Sequence, residues 1–185
     1  FDSNNIYKFV HLPVQSGNNE ILNLMQRKYT INDFKEIVNI FRKKYPNITL
    51  STDIIVGFPT ETDEQFQDTV NLIKKIKPDI TNITRFSARP FTKAKNMKGR
   101  IKTEIAKKRS KELTKICKKI SLENNLEQIG KKYNVLITER GKNNTFVGRS
   151  ENYKPVILKQ KVNIGSFYNV DIVDAKSNYL VGRLK

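Results

Sequence analysis

Three short apolar runs in the first half of the chain predict β-strands. They cover residues 6–10, 48–56 and 79–86, and the end of the second run is apolar enough to be buried on both faces. Between these runs, apolar residues recur at three- and four-residue spacing, which predicts helices. The order β-α-α-β-α-β predicts an α/β fold with a parallel sheet. Because three strands cannot close a barrel, we expect partner strands upstream of Phe1.

Polar residues that cap helices precede the predicted helices of this half. Asn18 or Asn19 can cap a short helix, and Thr30 can cap a longer one. The segment 62–65, Thr-Asp-Glu-Gln, forms a capping box for the next helix. Beyond the third strand and a loop, a long basic helix is predicted from residue 103 to about residue 124.

The sequence changes character after Gly130. Short alternating runs are separated by Gly and Asn residues typical of turns. The runs are residues 133–138, 146–149, 156–159, 168–173 and 179–184. They predict a small closed or nearly closed antiparallel barrel. We therefore divide the chain into an α/β part at 1–102, a basic linking helix at 103–125 and an all-β barrel at 126–185.

The positive charge is concentrated in the second half of the chain. The 185 residues carry 35 Lys and Arg and 18 Asp and Glu, for a net charge of +17. Residues 1–92 contribute +2 and residues 93–185 contribute +15. Such a field attracts polyanions through counterion release. A nucleic acid is the predicted partner, ahead of an anionic membrane surface, and a solvated lysine-rich surface is the alternative.

Several kinds of site are excluded by what the sequence lacks. No apolar run approaches the roughly 20 residues of a membrane span, and no signal-peptide pattern is present, so we expect a cytoplasmic protein without a membrane partner. The single cysteine, Cys117, excludes an internal disulfide and a multi-cysteine metal site made by this chain alone. We expect its thiol to be packed in the basic helix, and we assign no metal ligand and no catalytic residue to the chain.

The turn after the second predicted strand has the features of a ligand wall. Gly57 ends a buried run, and the missing Cβ lets a ligand lie against the backbone. The helix that follows offers free N–H groups to anionic or polar ligand atoms. At the C-terminal edge of a parallel sheet this predicts a cofactor pocket, with an ordinary strand-to-helix turn as the alternative.

Four ordered motifs resemble the radical S-adenosylmethionine methylthiotransferases. They are His11-Leu12-Pro13-Val14-Gln15-Ser16-Gly17, Met25-x-Arg27, Thr52-Asp53-Ile54-Ile55-Val56-Gly57-Phe58-Pro59-Thr60-Glu61-Thr62 and Phe86-Ser87-Ala88-Arg89-Pro90-x-Thr92. The chain from about Leu126 is similar to the TRAM domain, a small RNA-binding β-barrel. The resemblance implies the C-terminal part of a TIM-like radical S-adenosylmethionine α/β barrel at 1–102, followed by an OB-like TRAM barrel at 126–185. We accordingly expect the chain to be a piece of a longer protein.

The resemblance implies a tRNA-modifying enzyme that uses S-adenosylmethionine and two [4Fe–4S] clusters. The cluster ligands would be cysteines absent from this chain, so we expect the chain alone to be inactive. The implied reaction adds a methylthio group to C2 of N6-threonylcarbamoyladenosine beside the anticodon. A Lys-, Ile- and Asn-rich composition favours this archaeal and eukaryotic type. The implied partners are the anticodon stem-loop of tRNA and an electron donor. The alternatives are the isopentenyladenosine type and a non-catalytic RNA-binding module built from a degenerate barrel.

The candidate site residues fall into two sets. The resemblance implies that cofactor-binding residues are His11, Gln15, Ser16, Arg27, Asp53, Gly57, Glu61 and Phe86. The charge and aromatic pattern predicts tRNA contacts at Arg85, Arg89, Lys107, Lys108, Arg109, Lys131, Lys132, Arg140, Phe146, Arg149 and Tyr153. In the second set cations hold phosphates while rings stack on unpaired bases.

Two positions depart from the pattern of the family. Thr60 and Phe91 stand where Gly is common. Phe91 is the larger departure, because a bulky side chain restricts backbone conformations that are open to Gly. Such a change can reshape the substrate side of the pocket, and sequence drift is the alternative.

Overall fold

The computed structural model describes residues 2–3, 6–88, 90 and 92–184. Arg89 and Phe91, two positions singled out by the sequence, lie outside the described residues. By their internal contacts, the residues form two compact units. The α/β unit contains residues 11–44 and 50–117, and the barrel unit contains residues 1–10, 45–49 and 118–185. The three-part domain division drawn from the sequence stays a prediction.

The first half folds in the predicted order of strands and helices. Its elements are β1 (Phe9–His11), α1 (Asn19–Leu24), α2 (Ile31–Lys44), β2 (Thr49–Val56), α3 (Asp63–Ile76), β3 (Ile80–Arg85), a 3₁₀ turn (Lys93–Lys95) and α4 (Thr103–Leu126). The strands form one sheet in the order β1-β2-β3, and β2 pairs with β3 in parallel. β1 begins later than predicted, at Phe9. The backbone N–H of Lys8, within the predicted run, donates to the Glu151 carbonyl oxygen at 2.9 Å.

The helix caps follow from the polar residues that the sequence placed there. The Asn18 side chain accepts hydrogen bonds from the backbone N–H groups of Glu20 and Ile21. The Thr30 hydroxyl accepts from the Asp33 N–H at 3.2 Å, and Thr62 and Gln65 complete the predicted capping box. Each cap satisfies backbone donors that the first helical turn leaves without partners.

The two faces of the β2–β3 pair differ in exposure. Ile54 and Val56 point to the buried face, whereas Asp53 and Ile55 are only partly buried. Parallel pairing sets Asp53 beside Asn82 and Ile55 beside Thr84. Because side chains alternate along a strand, these four share the opposite face, which is the more exposed one. That face is available to form the wall of a cavity.

The second half closes into a barrel. Its strands are β4 (Lys132–Arg140), β5 (Phe146–Arg149), β6 (Pro155–Leu158), β7 (Phe167–Ala175) and β8 (Leu180–Leu184), in the closed order β4-β5-β6-β8-β7. The expectation of a wholly antiparallel barrel is wrong in one place, because β6 and β8 run parallel. Inward-facing residues such as Val135, Ile137 and Leu158 form the core. The predicted fold class, a parallel α/β segment followed by a small β-barrel, is confirmed.

No helix within the described part of the chain combines the length and apolar character needed to cross a membrane.

Candidate functional site

An open cavity lies over the exposed face of the parallel sheet in the α/β unit. Its volume is about 800 Å³. Polar side chains from five segments line it, and the rings of Phe58 and Phe86 stand in its wall with their centroids 5.0 Å apart in an edge-to-face contact. Four of the residues predicted to bind a cofactor lie in this lining: Gln15, Arg27, Asp53 and Phe86. Arg85, which the charge pattern suggested as a tRNA contact, lies there too.

A polar cluster centred on Asp53 forms one side of this cavity. Its Oδ1 accepts a hydrogen bond from Asn82 Nδ2 at 2.9 Å and lies 3.0 Å from His11 Nε2. The side chains of His11 and Asp53 are 41% and 31% exposed, so the pair is solvated. His11 is not itself in the cavity lining, and its contact with Asp53 orients the carboxylate that is. A bound ligand would therefore meet a carboxylate with a fixed position rather than a mobile one.

The Gln15 side chain reaches the cavity because its backbone is held in an unusual conformation. Gln15 has a φ of 69°. Its N–H donates to the Asp53 carbonyl oxygen at 2.8 Å, and its own carbonyl oxygen accepts from the Ile55 N–H at 2.9 Å. The Tyr29 hydroxyl donates to the Pro13 carbonyl oxygen at 3.0 Å, and this hydrogen bond also holds the loop that carries Gln15. Burial raises the pKa of that hydroxyl, which stays protonated as a donor.

Two residues predicted to bind the cofactor have other surroundings. Ser16 is fully buried, and its hydroxyl accepts a hydrogen bond from the Asn18 N–H at 3.2 Å. Gly57 has a φ of +74°, and a Cβ built there would lie 2.7 Å from the Cβ of Ala106 in α4. A helix residue occupies the space that the missing side chain leaves, and the assignment of Gly57 to cofactor binding stays a prediction. Gly57 is required by packing and by its left-handed backbone.

Glu61 is also outside the cavity lining and takes part in a buried ion pair. Its carboxylate accepts from the Gly57 N–H at 2.8 Å and from Arg109 Nη1 at 2.6 Å. The side chains of Glu61 and Arg109 are 1% and 6% exposed. Arg109 also donates to the Glu61 carbonyl oxygen at 3.0 Å and to Asp63 Oδ1 at 2.7 Å. The network binds α4 to the turn that carries Phe58.

The electrostatics of this network follow from its burial. Burial raises the pKa of Glu61 above its ordinary value, and the Gly57 N–H and the Arg109 charge partly oppose that rise. The hydrogen bond from Arg109 lowers the pKa of the exposed Asp63 carboxyl. The assignment of Arg109 to tRNA contact is corrected. A buried guanidinium that is bonded to two carboxylates is not available to a phosphate.

The exposed side of α4 keeps the predicted basic character. Lys107 and Lys108 are exposed, and they directly precede the inward-facing Arg109. The buried side of the helix in this unit carries Ala106, Leu113 and Cys117. Cys117 is 7% exposed, as expected for a packed thiol, and burial raises its pKa.

The predicted contact residues of the barrel differ in accessibility. Lys132 and Arg140 are exposed, and the exposed Lys131 donates to Gln128 Oε1 at 3.2 Å. Phe146 packs against the barrel core, which leaves its ring less available for stacking than expected. Tyr153, by contrast, is 37% exposed and carries the Arg149 guanidinium 4.7 Å from its ring centroid.

The sequence did not predict two residues of the cavity lining, and it gave Arg109 a different role. Phe58 and Asn82 line the cavity. Asn82 could have been predicted from the sequence, because it is a polar residue on the same strand face as Thr84, next to the cofactor motif. The inward position of Arg109 could also have been predicted, since this residue falls three residues after Ala106 and four before Leu113 on the buried stripe of α4.

Comparison with known proteins matches two segments of the chain to described families. Residues 2–73 match the Radical SAM superfamily, and residues 126–185 match the TRAM domain. The chain joins a radical SAM segment to a TRAM domain. The resemblance drawn from the four motifs is thereby confirmed. The radical SAM family implies S-adenosylmethionine and iron–sulfur clusters in general.

Individual relatives align along the whole chain. A protein of Archaeoglobus fulgidus is 47% identical over 184 residues, covering 100% of this chain and 43% of the relative. One of Pyrococcus abyssi is 48% identical over 184 residues, with the same coverage. Both are named "Probable threonylcarbamoyladenosine tRNA methylthiotransferase". A Caldicellulosiruptor saccharolyticus protein named "tRNA-2-methylthio-N(6)-dimethylallyladenosine synthase" is 36% identical over 185 residues, covering 99% of this chain and 39% of the relative. The radical SAM–TRAM chain thus spans less than half the length of these relatives.

The chemistry of the cavity fits S-adenosylmethionine. The Arg27 guanidinium matches a carboxylate, and the Asp53 carboxylate matches an ammonium or ribose hydroxyl groups. The rings of Phe58 and Phe86 match a flat adenine. An iron–sulfur cluster does not fit this chain alone, because such a cluster needs several thiolates and the sequence has one buried cysteine.

Proposed function

We propose that this chain is the C-terminal part of a tRNA methylthiotransferase that acts on C2 of N6-threonylcarbamoyladenosine beside the anticodon. The observation that carries the proposal is the alignment of the whole chain, at 47% and 48% identity, with two relatives of that name. The cavity over the parallel sheet supports it, because its donor set suits S-adenosylmethionine. In the complete enzyme we expect two [4Fe–4S] clusters, an electron donor and the cytoplasm as the place of action.

In this proposal the cavity residues bind and orient the cofactor. Arg27 holds the carboxylate of the methionyl part, and Asp53, fixed by Asn82 and His11, holds an ammonium or ribose hydroxyl groups. Phe58 and Phe86 cover the adenine and exclude water from it. S-adenosylmethionine, when bound, supplies the radical that activates the substrate and a methyl group. No residue of this chain is assigned a proton-transfer step.

In this proposal tRNA contacts two surfaces, the exposed basic side of α4 in the α/β unit and, separately, the barrel. Lys107 and Lys108 are exposed, and the half of the chain that contains them carries a net charge of +15. Phosphate contacts of this kind position the RNA without reading its sequence. The anticodon stem-loop would therefore be recognised by its shape and its unpaired bases rather than by these lysines.

The test is nucleoside analysis of tRNA from a bacterial strain that lacks its own methylthiotransferases. A protein that carries this chain as its C-terminal part is produced there, with a source of threonylcarbamoyladenosine and isopentenyladenosine, and digested tRNA is examined by mass spectrometry. We expect the methylthio form of threonylcarbamoyladenosine. The isopentenyl product would assign the substrate of the Caldicellulosiruptor relative instead. No product, together with no C-x-x-x-C-x-x-C segment upstream, would favour the non-catalytic RNA-binding module.

Cofactor binding is tested in the same protein with two neighbouring variants. Arg27→Gln removes a cation from the cavity lining, whereas Lys28→Gln removes an exposed cation that does not line it. We expect weaker binding of radiolabelled S-adenosylmethionine in the first variant only. Equal affinities would contradict the assignment of Arg27.

A further inference from the structure

A second cavity, within the barrel unit, is not explained by cofactor binding or by phosphate contacts. It is a surface groove of about 640 Å³. Residues 6–8 form one wall, and β4, β5 and β7 form the floor and the other wall. The Lys8 N–H donates to the Glu151 carbonyl oxygen at 2.9 Å, and the Lys8 carbonyl oxygen accepts from the Thr49 N–H at 2.9 Å. Both walls are therefore held by the backbone of one compact unit.

The floor of the groove is a continuous strip of flat and apolar side chains. Leu136 of β4 pairs with Arg149 of β5 on one side and with Phe167 of β7 on the other. The neighbours of Leu136 along β4, Val135 and Ile137, are fully buried in the core. Because side chains alternate along a strand, Leu136 and its two cross-strand partners share the outer surface of the barrel. The Phe167 ring is 62% exposed there, which is unusual for an aromatic side chain.

A cluster of rings extends the strip and packs against the arginine. The Arg149 guanidinium lies 4.7 Å from the centroid of the Tyr153 ring. That ring is packed by Tyr7 at 4.9 Å and by Phe9 at 5.2 Å between centroids. Tyr153 itself has a φ of 64°, a conformation that side chains other than Gly and Asn rarely adopt. The guanidinium thus lies over an aromatic ring, and Leu136 of β4 lies between Arg149 and the exposed Phe167 ring.

We propose that this groove binds one unstacked nucleobase of the RNA partner, stacked on Phe167 and Arg149. Aromatic rings and guanidinium planes are the surfaces on which proteins stack splayed-out bases. The exposed Glu151 carboxylate and the Asn134 side chain at the groove edge supply an acceptor and an amide for the edge of the base. The positive charge of the second half attracts the RNA, and the groove selects an unpaired base from it. This inference rests on the proposed function, because it takes RNA as the partner.

Charge and stacking make different contributions to binding, and the experiment separates them. Phe167→Ala removes the ring without removing a charge. Arg149→Lys keeps the positive charge and removes the planar guanidinium group. Neither change loses a phosphate contact, so the slope of log affinity against log salt is expected to stay the same. We expect either variant to bind an anticodon-sized RNA stem-loop about 5-fold to 100-fold more weakly than wild type, as for the loss of one base stack. Binding to a blunt RNA duplex should not change.

The controls are matched to each variant. Tyr179→Ala removes an aromatic residue that is 36% exposed on the same barrel and outside the groove. Arg140→Lys exchanges an exposed arginine that does not line the groove. Both controls should bind the stem-loop like wild type. Circular dichroism checks that all four variants are folded, since Phe167 is 62% exposed but Arg149 is only partly exposed.

The outcomes distinguish a failure of this inference from a failure of the proposed function. The wild-type chain could bind the stem-loop in a salt-dependent way while Phe167→Ala and Arg149→Lys keep the same affinity. That result would contradict base binding in the groove without contradicting the proposed function. An equal loss for stem-loop and duplex would also overturn it, because a duplex offers no unstacked base. Absence of RNA binding by the wild-type chain would overturn both. Ultraviolet crosslinking of the stem-loop to the peptides that contain Tyr7 or Phe167 would support the groove directly.

Discussion

The buried pair of Arg109 and Glu61 gives the sharpest test of how α4 is held to the α/β unit. We consider Arg109→Met, which keeps a long apolar stem and removes the charge and three hydrogen bonds. Glu61 is 2% exposed, so after this change its carboxylate keeps the Gly57 N–H as its one hydrogen-bond partner among the residues that the structure describes. Removing one member of a buried ion pair costs about 3–5 kcal/mol of stability, because the other charge stays desolvated. We assign no part of this to Asp63, whose side chain is 88% exposed.

The stability lost in Arg109→Met should depend on pH, and the burial of Glu61 sets the direction of that dependence. Burial already raises the pKa of Glu61 above its ordinary value of 4.5, and Arg109 opposes that rise. Arg109→Met therefore raises the pKa of Glu61 further. Between the ordinary value and the raised value, the folded state holds a proton that the unfolded state has released, so stability falls as pH rises through this window. The variant should lose more stability at about pH 8 than at about pH 5.

The measurement is urea unfolding followed by circular dichroism, with hydrogen exchange of peptides from α3 and α4 to identify the unit that opens. Lys108→Met on the same helix is the control, because Lys108 is exposed and its loss should change stability by less than about 0.5 kcal/mol. Glu61→Gln combined with Arg109→Met should lose about 1–3 kcal/mol less than the sum of the single changes. A loss in Arg109→Met no larger than in Lys108→Met would refute the reasoning.

Three further predictions concern the backbone and the basic surface. Gly57→Ala should destabilise by several kcal/mol in urea unfolding, and more than Gly165→Ala, because both glycines have positive φ and only Gly57 has a neighbour within 4 Å of the added methyl. Thr60→Gly should stabilise by about 1 kcal/mol, since a β-branched residue with a φ of 70° is strained, and a lower unfolding midpoint would contradict this. Lys107→Glu with Lys108→Glu should reduce the slope of log tRNA affinity against log salt by about 0.7–0.9 for each lost phosphate contact. An unchanged slope would show that these lysines do not contact the tRNA.

The structure explains one of the departures from the family pattern that the sequence could only note. Thr60 adopts a left-handed backbone conformation, and its N–H donates to the Gly99 carbonyl oxygen at 2.8 Å. A glycine would adopt that conformation without strain, which is a physical reason for the family preference. The chain keeps threonine there at a cost in backbone energy, because the hydrogen bond from its N–H would form equally with glycine.

Local patterns in the sequence determined most of the secondary structure of this protein. Caps at Asn18, Thr30 and Thr62 act within one helical turn, so side chains a few residues apart specify them. Alternation within short runs specified the barrel strands for the same reason. Motifs at strand ends specified the edge of the sheet at which the cavity forms, because parallel strands bring their carboxyl ends to one side.

Only the tertiary structure decided which polar residues face the cavity, the core or solvent. Gln15 and Ser16 are adjacent in sequence, yet one lines the cavity and the other is buried behind it. Arg109 lies between exposed lysines and points inward to carboxylates 46 and 48 residues away. The parallel pairing of β6 with β8 and the strip that joins Phe167 to Arg149 likewise depend on contacts distant in sequence. Composition and local periodicity do not predict such contacts, because these contacts form only when distant parts of the chain come together in the folded state.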